Sequence, residues 1–389
     1  MPSPLTARDI LENLVAFPTV SSDSNLALLD WVEAYLAGFG VTAHRVYDAT
    51  GRKAALYANI GPEVEGGIIL SGHTDVVPIE GQEWATDPFI VTEHEGRLYG
   101  RGTCDMKGFN ALALAMVPYA QSLDLQRPLQ IALSYDEEVG CLGAPAMIAD
   151  MAGHLPKAAI AVIGEPTNMQ VVTGQKGSVG WQVHVRGHEV HSSLMHEGVS
   201  AILEGAHLLS WVNDANTAIR AQTPTVLAAP FDPPFSTVHT GTIKGGTAHN
   251  ITAKDCRFDI DVRLVPGEDA HTYETSLRAR VAELEARMKT IHPDAGITLT
   301  PQFDVPPLAP ETNGLAEQIM RQATGDNGTH AVSYGTEAGQ FQNAGYSAVI
   351  CGPGDIAQAH QPNEYIELAQ FTRGEQVLRT VVDMLTQRP

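Results

Sequence analysis

Two neighbouring segments decide the fold: Ser71-Gly72-His73-Thr74-Asp75 and Gly100-Arg101-Gly102-Thr103-Cys104-Asp105-Met106-Lys107-Gly108. The first begins as the apolar run Ile68–Ser71 ends, and that run is typical of a strand covered on both faces. The second is a glycine-rich turn that leads into an apolar helix at Gly108–Ala120. Side chains at such junctions converge in an α/β protein. We therefore expect the histidine of the first segment and the aspartate of the second to point at one place.

Working outward from these segments, strands and helices alternate along this half of the chain. We predict them from hydrophobic periodicity, caps and turn residues. The predicted strands are Thr42–Arg45, Ala54–Ile60, Ile68–Ser71, Leu129–Ser134 and Ala158–Ile163, and the predicted helices are Thr6–Ala16, Asn25–Phe39, Gly108–Ala120 and Ala144–Met151. This alternation predicts an α/β catalytic domain with a mostly parallel central sheet.

The pattern changes at Ser178. Apolar residues there alternate with polar ones, at Val179, Trp181, Val183 and Val185, as in a sheet with one exposed face. In the order β-α-β-β-α-β, the predicted elements are Ser178–Arg186, Ser200–Asp214, Thr237–Ile243, Arg257–Leu264, Ala270–Met288 and Ile297–Phe303. This order is typical of a ferredoxin-like α+β unit. We predict that residues 178–305 form a domain inserted into a catalytic domain made of residues 1–177 and 306–389.

The composition narrows the class of protein. The chain has 389 residues, of which 18% are charged, and a formal net charge of −21 without a cluster of Lys and Arg, so nucleic acid is not an expected partner. No apolar run approaches about 18 residues, and the first ten residues lack a signal-peptide core, so we expect neither a membrane span nor export. The four cysteines form no C-x-x-C pair, which favours a reducing, cytoplasmic setting.

Five potential metal ligands lie at predicted strand ends or in the loops that follow: His73, Asp105, Glu138, Glu165 and His360. Each alone has an ordinary structural reading, such as a helix cap for Asp105. Together they suit zinc or a similar divalent ion, and they suit two ions if one carboxylate is shared. Asp105 is the best candidate for the shared carboxylate, because its glycine-rich turn allows the backbone to approach closely.

Two further acidic positions accompany these ligands. Asp75 is placed to accept the second N–H of His73 and so fix its tautomer, although a turn cap is the alternative. In the Glu137-Glu138 pair the adjacent side chains diverge, so Glu138 can bind metal while Glu137 serves as the general base that passes a proton to the leaving nitrogen. A solvated acidic turn fits poorly, because a buried strand leads directly into the pair.

Polar residues also follow the strands of the inserted domain. His191 is far from the metal ligands in sequence, so it reaches them only if this domain closes over the site. Asn250 is another polar group near a strand end. Arg263 could pair with a substrate carboxylate or could serve a structural salt bridge.

These motifs resemble the M20 metallopeptidases and, within them, the acetylornithine deacetylase branch, over essentially the whole chain. The segments that carry the resemblance are Ser71–Asp75, Gly100–Gly108, Asp136–Gly140, Gly164–Thr167 and Ala359–Tyr365. The resemblance implies a zinc-peptidase-like catalytic domain, and an inserted domain that acts as a lid and forms the contact of a homodimer.

The resemblance also implies a set of site residues. Two zinc ions, which cobalt can replace, would be held by His73, Asp105 and Glu165 and by Asp105, Glu138 and His360, with Glu137 as the base and Asp75 as a further catalytic residue. A cis peptide is implied at Asp105–Met106. His191 would polarise the substrate carbonyl from the partner subunit, and Asn250 and Arg263 would contact the substrate carboxylate.

The implied activity is removal of the acetyl group from N-α-acetyl-L-ornithine, giving L-ornithine and acetate in arginine biosynthesis. Gly102–Asp105 and Tyr334–Gly339 favour this branch; in the second segment Thr336 and Glu337 would bind substrate, with Glu337 reading the cationic δ-amine. The alternatives within the family are a succinyl-diaminopimelate desuccinylase, an aminoacylase for other N-acyl amino acids and a dipeptidase. The intact base and complete ligand set disfavour a non-catalytic binding protein.

Overall fold

The computed structural model describes residues 4–387, so the first three and last two residues of the predicted catalytic domain lie outside the described residues. The chain divides into two compact units. The first comprises the residues up to Gly174, Leu308–Ala331 and the chain from Thr336 onward, and the second comprises Gln175–Pro307 and Val332–Gly335. The predicted insertion, residues 178–305, lies inside the second unit.

The described residues form the following α-helices and β-strands. The α-helices are α1 (Ala7–Val15), α2 (Leu26–Gly38), α3 (Lys107–Gln121), α4 (Ala144–His154), α5 (Ala201–Arg220), α6 (Ala270–Ile291), α7 (Leu315–Thr324), α8 (Ala338–Asn343) and α9 (Leu368–Met384). The strands are β1 (Ala43–Tyr47), β2 (Ala54–Ile60), β3 (Ile68–His73), β4 (Thr92–His94), β5 (Arg97–Tyr99), β6 (Leu129–Ser134), β7 (Ile160–Pro166), β8 (Val172–Gln175), β9 (Gly177–Arg186), β10 (Thr237–His239), β11 (Ile243–Gly245), β12 (Asp255–Leu264), β13 (Gly296–Val305), β14 (His330–Val332), β15 (Ser347–Gly352) and β16 (Tyr365–Glu367).

The central sheet confirms the predicted α/β class. Within residues 4–387 its strand order is β1-β2-β6-β3-β7-β15-β8-β14. The middle of the sheet is parallel, because β3 pairs in parallel with β6 and β7, and β15 pairs in parallel with β7. Every residue of β3, β6 and β7 is buried, as expected of strands covered on both faces.

Helix α3 lies across this sheet and is buried along most of its length. Helices α1 and α9 pack against it, and α1 begins with a capping box between Thr6 and Asp9 that satisfies its first free N–H groups. Because α3 is held on several sides, the turn that precedes it, which carries Asp105, has a fixed place.

Two glycines allow close approach between α3 and the strands beneath the ligands. A Cβ built on Gly164 would lie 2.0 Å from the ring of Phe109, and one built on Gly72 would lie 2.2 Å from Asn110 Oδ1. Any side chain larger than hydrogen at these positions would push the helix from the sheet.

The first unit also contains a small antiparallel sheet, in the order β16-β5-β4, that the sequence did not predict. It pairs Tyr365 with Tyr99 and Glu367 with Arg97. The chain just after His360 is thereby fixed beside the chain just before the Asp105 turn.

The second unit has the predicted ferredoxin-like topology. Its sheet has the order β10-β12-β9-β13, all pairs are antiparallel, and β11 also pairs with β12. The alternating residues Val179, Trp181, Val183 and Val185 of β9 are buried, as expected. Helices α5 and α6 pack on the sheet and on each other.

The predicted strand Thr237–Ile243 is divided into β10 and β11. His239 pairs with Asp261 and Ile243 pairs with Phe258, so four steps along this segment match three along β12. The extra residue interrupts the ladder. None of the described helices combines the length and apolar character needed to span a membrane.

Candidate active site

Most candidate ligands gather at one edge of the central sheet. His73 is the last residue of β3, Glu137 and Glu138 follow β6, and Glu165 lies near the end of β7. Because these three strands are parallel neighbours, their carboxyl ends meet at this edge. Asp105 arrives from the turn before α3.

Asp105 lies between two histidines. Its Oδ1 is 3.0 Å from His73 Nε2, and its Oδ2 is 3.3 Å from His360 Nε2. On the far sides, His73 Nε2 lies 3.8 Å from Glu165, and His360 Nε2 lies 2.9 Å from Glu138. Each oxygen of the aspartate thus faces a different histidine, which is the arrangement that a carboxylate shared by two ions requires.

The geometry fixes the tautomer of His73. Its Nδ1 lies 2.8 Å from the main-chain oxygen of Asp75. A carbonyl oxygen only accepts hydrogen bonds, so Nδ1 carries a proton. Nε2 donates to Asp105 Oδ1 in the metal-free site, and it is the nitrogen that a metal would bind in place of that proton. The predicted partner was the Asp75 carboxylate, whose Oδ1 is 3.6 Å away. The turn after β3 brings the carbonyl closer to the ring than the side chain.

The Asp75 carboxylate instead organises the loop that follows β6. It accepts hydrogen bonds from Ser21 Oγ at 2.7 Å and from the backbone N–H groups of Glu137 at 3.2 Å and Glu138 at 3.3 Å. Asp75 therefore positions three neighbours in the site: the ring of His73 through its carbonyl and the two glutamates through its side chain.

Glu137 has a partner that the sequence did not mark. The Cys141 thiol donates to Glu137 Oε1 at 3.3 Å, and Cys141 is one of four cysteines scattered along the chain. Glu137 also belongs to a group of possible ligands with His73 and Glu165, whose ligand atoms lie within 4.8 Å of one another. Its position is thus suited to a base that works directly beside the ligands.

A second group of possible ligands comprises His73, Asp105 and Glu138. Burial and the charge of Asp105 raise the pKa of Glu138 to about 7, and burial with nearby carboxylates raises the pKa of Glu165 well above its usual range. For Asp105, burial is outweighed by hydrogen bonds from the two histidines, which hold its pKa below its usual range.

This cluster therefore concentrates negative charge where water cannot screen it. Divalent cations would neutralise carboxylates that otherwise repel one another, and imidazole with carboxylate oxygen is a donor set that zinc accepts. The residues present fit a pair of metal ions. The Asp105–Met106 peptide bond is cis, as the resemblance implies.

Glu337 lies behind the ligands, with only 1% of its surface exposed. Burial raises its pKa to about 7, while the hydroxyls of Ser134 and Ser71 and the charge of His73 favour its ionised form. Neighbouring Thr336 is also buried and accepts the N–H of Ala338 at 3.1 Å. The predicted contacts of these two residues with substrate stay predictions.

The other predicted substrate residues belong to the second unit. His191 is exposed, and its Nδ1 accepts the N–H of Ser193 at 3.3 Å and lies 2.8 Å from the Ser193 hydroxyl. Because a backbone N–H only donates, Nδ1 is the unprotonated nitrogen of a neutral His191 and Nε2 carries the proton. His191 can therefore donate a hydrogen bond through Nε2.

His191 and Asn250 lie side by side in the second unit. His191 forms a β-bridge with Ile251, and the N–H of Ser192 donates to the carbonyl of Asn250 at 2.9 Å. Arg263 is more distant in the sheet, on β12, where its Nε pairs with Asp261 at 3.0 Å. Its role toward a substrate carboxylate stays a prediction beside this ion pair.

Comparison with known proteins is consistent with the site. A family model described as peptidase family M20/M25/M40 matches residues 69–384. An acetylornithine deacetylase from Myxococcus xanthus is 36% identical over 388 residues, which cover 96% of each chain.

Solved structures share the fold at low identity. An M20 family metallo-carboxypeptidase from Sulfolobus solfataricus has a TM-score of 0.77 at 16% identity, covering 98% of this chain and 99% of that one. A Bacillus subtilis protein, described as a dinuclear metal binding peptidase from the M20 family, has a TM-score of 0.61 at 13% identity, covering 97% and 96%.

Proposed function

The chain belongs to peptidase family M20/M25/M40, and on that premise we propose that it removes the acetyl group from N-α-acetyl-L-ornithine, giving L-ornithine and acetate. The cluster in which buried Asp105 faces both His73 and the more exposed His360 carries the hydrolytic part of this proposal. The 36% identity to an acetylornithine deacetylase, over 96% of both chains, supports the substrate.

We propose that His73, Asp105 and Glu165 hold one zinc ion and that Asp105, Glu138 and His360 hold the other. Ions held by these residues would polarise the substrate carbonyl and would lower the pKa of water, and cobalt could replace zinc there. The hydrogen bond from His73 Nδ1 to a carbonyl, which leaves Nε2 facing Asp105, and the two-sided contacts of Asp105 support this assignment.

Residues of the protein then transfer the proton of the attacking water and stabilise the negative charge that develops on the substrate oxygen. Glu137 takes a proton from the attacking water and returns it to the leaving nitrogen. Cys141 holds one of its oxygens, and Asp75 holds its backbone, so the carboxylate is fixed in place before substrate arrives. His191 of the partner subunit, with its proton on Nε2, donates a hydrogen bond to the substrate oxygen as negative charge develops on it.

Release of ornithine tests this function directly. Protein reloaded with zinc or cobalt is assayed on N-α-acetyl-L-ornithine, N-succinyl-diaminopimelate, several N-acyl amino acids and dipeptides, beside a chelator-treated sample. The expected result is chelator-sensitive turnover with the highest kcat/KM for acetylornithine. Metal-dependent turnover that favours another substrate would support a hydrolase of this family with a different substrate. A protein that neither binds metal nor turns over any of these substrates would refute the proposal.

We also propose a cytoplasmic homodimer that forms through the second unit. The edge strand β13 pairs only with β9 among the described strands, and such an edge is a surface on which a second copy can add. The free, buried cysteines suit a reducing compartment. Light scattering after size exclusion should give twice the mass of one chain, and a monomer would contradict the assembly.

A further inference from the structure

We propose that Glu364 is a positioning residue that sets the place of Asp105, the carboxylate shared between the two proposed ions. Its Oε1 accepts the backbone N–H groups of Cys104 at 2.9 Å and of Asp105 itself at 3.0 Å. Its Oε2 accepts the backbone N–H of Gly102 at 3.0 Å and Arg101 Nη1 at 2.7 Å. One carboxylate thus ties together most of the turn that presents the shared ligand.

Both oxygens of Glu364 are fully occupied by donors. The side chains of Glu364 and Arg101 are each only 1% exposed, so water cannot replace a lost partner. A glutamine at this position would turn its NH₂ group toward donors on at least one side. The turn would then have to move away, and Asp105 would move with it.

The same residue connects the two segments that bring ligands from outside the sheet edge. Glu364 lies four positions after His360, and its carbonyl accepts the N–H of Gly100 at 2.9 Å. Gln82 links the two segments a second time, because its Nε2 donates to the carbonyl of His360 at 2.9 Å and its Oε1 accepts Arg101 Nη2 at 2.5 Å. The 3.3 Å separation between His360 Nε2 and Asp105 Oδ2 therefore depends on this network.

A buried ion pair can also serve stability alone, so the test needs a matched carboxylate elsewhere in the first unit. Glu311 provides it. It accepts hydrogen bonds from Ser347 Oγ at 2.6 Å, from the backbone N–H of Ala348 at 3.0 Å and from Gln342 Nε2 at 3.2 Å, and it contacts none of the proposed ligands. Glu311→Gln disturbs three hydrogen bonds of a partly buried carboxylate in the same unit without touching the Asp105 turn.

The proposal rests on the proposed metal site but not on the proposed substrate. Zinc affinity is measured by competition with a chromophoric chelator for the full-length wild type, Glu364→Gln and Glu311→Gln, together with the visible spectrum of each cobalt-loaded protein and the Tm of each metal-free protein. Glu364→Gln should weaken binding of at least one ion by about 10- to 100-fold and change the cobalt spectrum. Glu311→Gln should lower the Tm while both metal readouts stay at wild-type values.

The outcomes separate the two proposals. A wild type that binds no divalent ion would refute the metal site itself. A wild type that binds two ions, with a folded Glu364→Gln protein that has the same affinities and spectrum, would overturn the positioning role alone. If Glu364→Gln does not fold, Glu364→Asp keeps the charge but draws the carboxylate back from the three N–H groups. A folded Glu364→Asp protein with wild-type metal readouts would equally overturn the role.

Discussion

The buried charge of Glu337 leads to a quantitative prediction about the metal-free protein. Its pKa rises from 4.5 to about 7, chiefly through burial. A carboxyl whose pKa is higher in the folded than in the unfolded state takes up protons on folding. Its stabilising contribution is therefore complete below about pH 4.5 and is lost as the pH rises through about 7. Glu337→Gln removes this pH dependence because an amide does not ionise.

The size of the effect follows from the two pKa values. A rise from 4.5 to about 7 corresponds to about 3 kcal/mol between low and high pH. For a chain of this length, about 3 kcal/mol moves the Tm by roughly 4 °C. Glu337→Gln should therefore have a higher Tm than the wild type at pH 8, by roughly 4 °C, and nearly the same Tm at pH 5.

Thermal unfolding followed by circular dichroism, with chelator present at both pH values, measures this difference. Zinc-loaded samples serve as the control, because bound cations favour the ionised carboxyl and should shrink the gap at pH 8. An equal change in Tm at pH 5 and pH 8 would refute the reasoning, because it would show that shape rather than charge is responsible. If zinc-loaded Glu337→Gln has the wild-type KM for acetylornithine, Glu337 does not bind the δ-amine of the substrate.

Three further predictions concern single residues. Glu137→Gln should lower kcat by about 10²- to 10⁴-fold and keep both ions, whereas Glu138→Gln should lose metal. Analysis of zinc content distinguishes the two variants. Loss of metal from both would show that Glu137 is a ligand. Ser193→Ala removes the hydroxyl that lies 2.8 Å from His191 Nδ1 and keeps the backbone N–H, so kcat should fall about fivefold, the worth of one hydrogen bond. ¹⁵N NMR should show His191 with a less uniform tautomer, and an unchanged tautomer would exclude the hydroxyl from holding it. Gly164→Ala should lower the Tm and the zinc affinity together, because its Cβ would overlap an aromatic ring of α3; a normal Tm would contradict the packing.

The fold was largely predictable because its strands carry strong patterns. β2 and β6 have the predicted bounds, since each is a mostly apolar run that is followed by turn residues. The short strands β4, β5, β8, β14 and β16 were not predicted. They have three or four residues each, too few for a period of two to be distinguished from a loop. Some of them also pair with distant segments, as β5 does where Tyr99 meets Tyr365.

The site was predictable in residue type but not in detail. His73 and Glu165 stand where buried strands end, and that position alone suggests convergence. The choice between the carbonyl and the carboxylate of Asp75 depends on the dihedral angles of a turn, which residue types do not determine. The anchoring by Glu364 is equally invisible, because it joins residues more than 250 positions apart, and the motif around His360 draws attention only to the ligand.

The hydrogen bond from His73 Nδ1 to the carbonyl of Asp75 has a consequence for how variation reaches this site. Every amino acid supplies a main-chain carbonyl, so a codon change at position 75 can alter the carboxylate while the acceptor for the imidazole stays. A substitution at position 75 therefore leaves the hydrogen-bond acceptor of His73 Nδ1 in place. The hydrogen bond to Glu137 Oε1 differs, because the Cys141 side chain supplies it and a single substitution of that cysteine removes it.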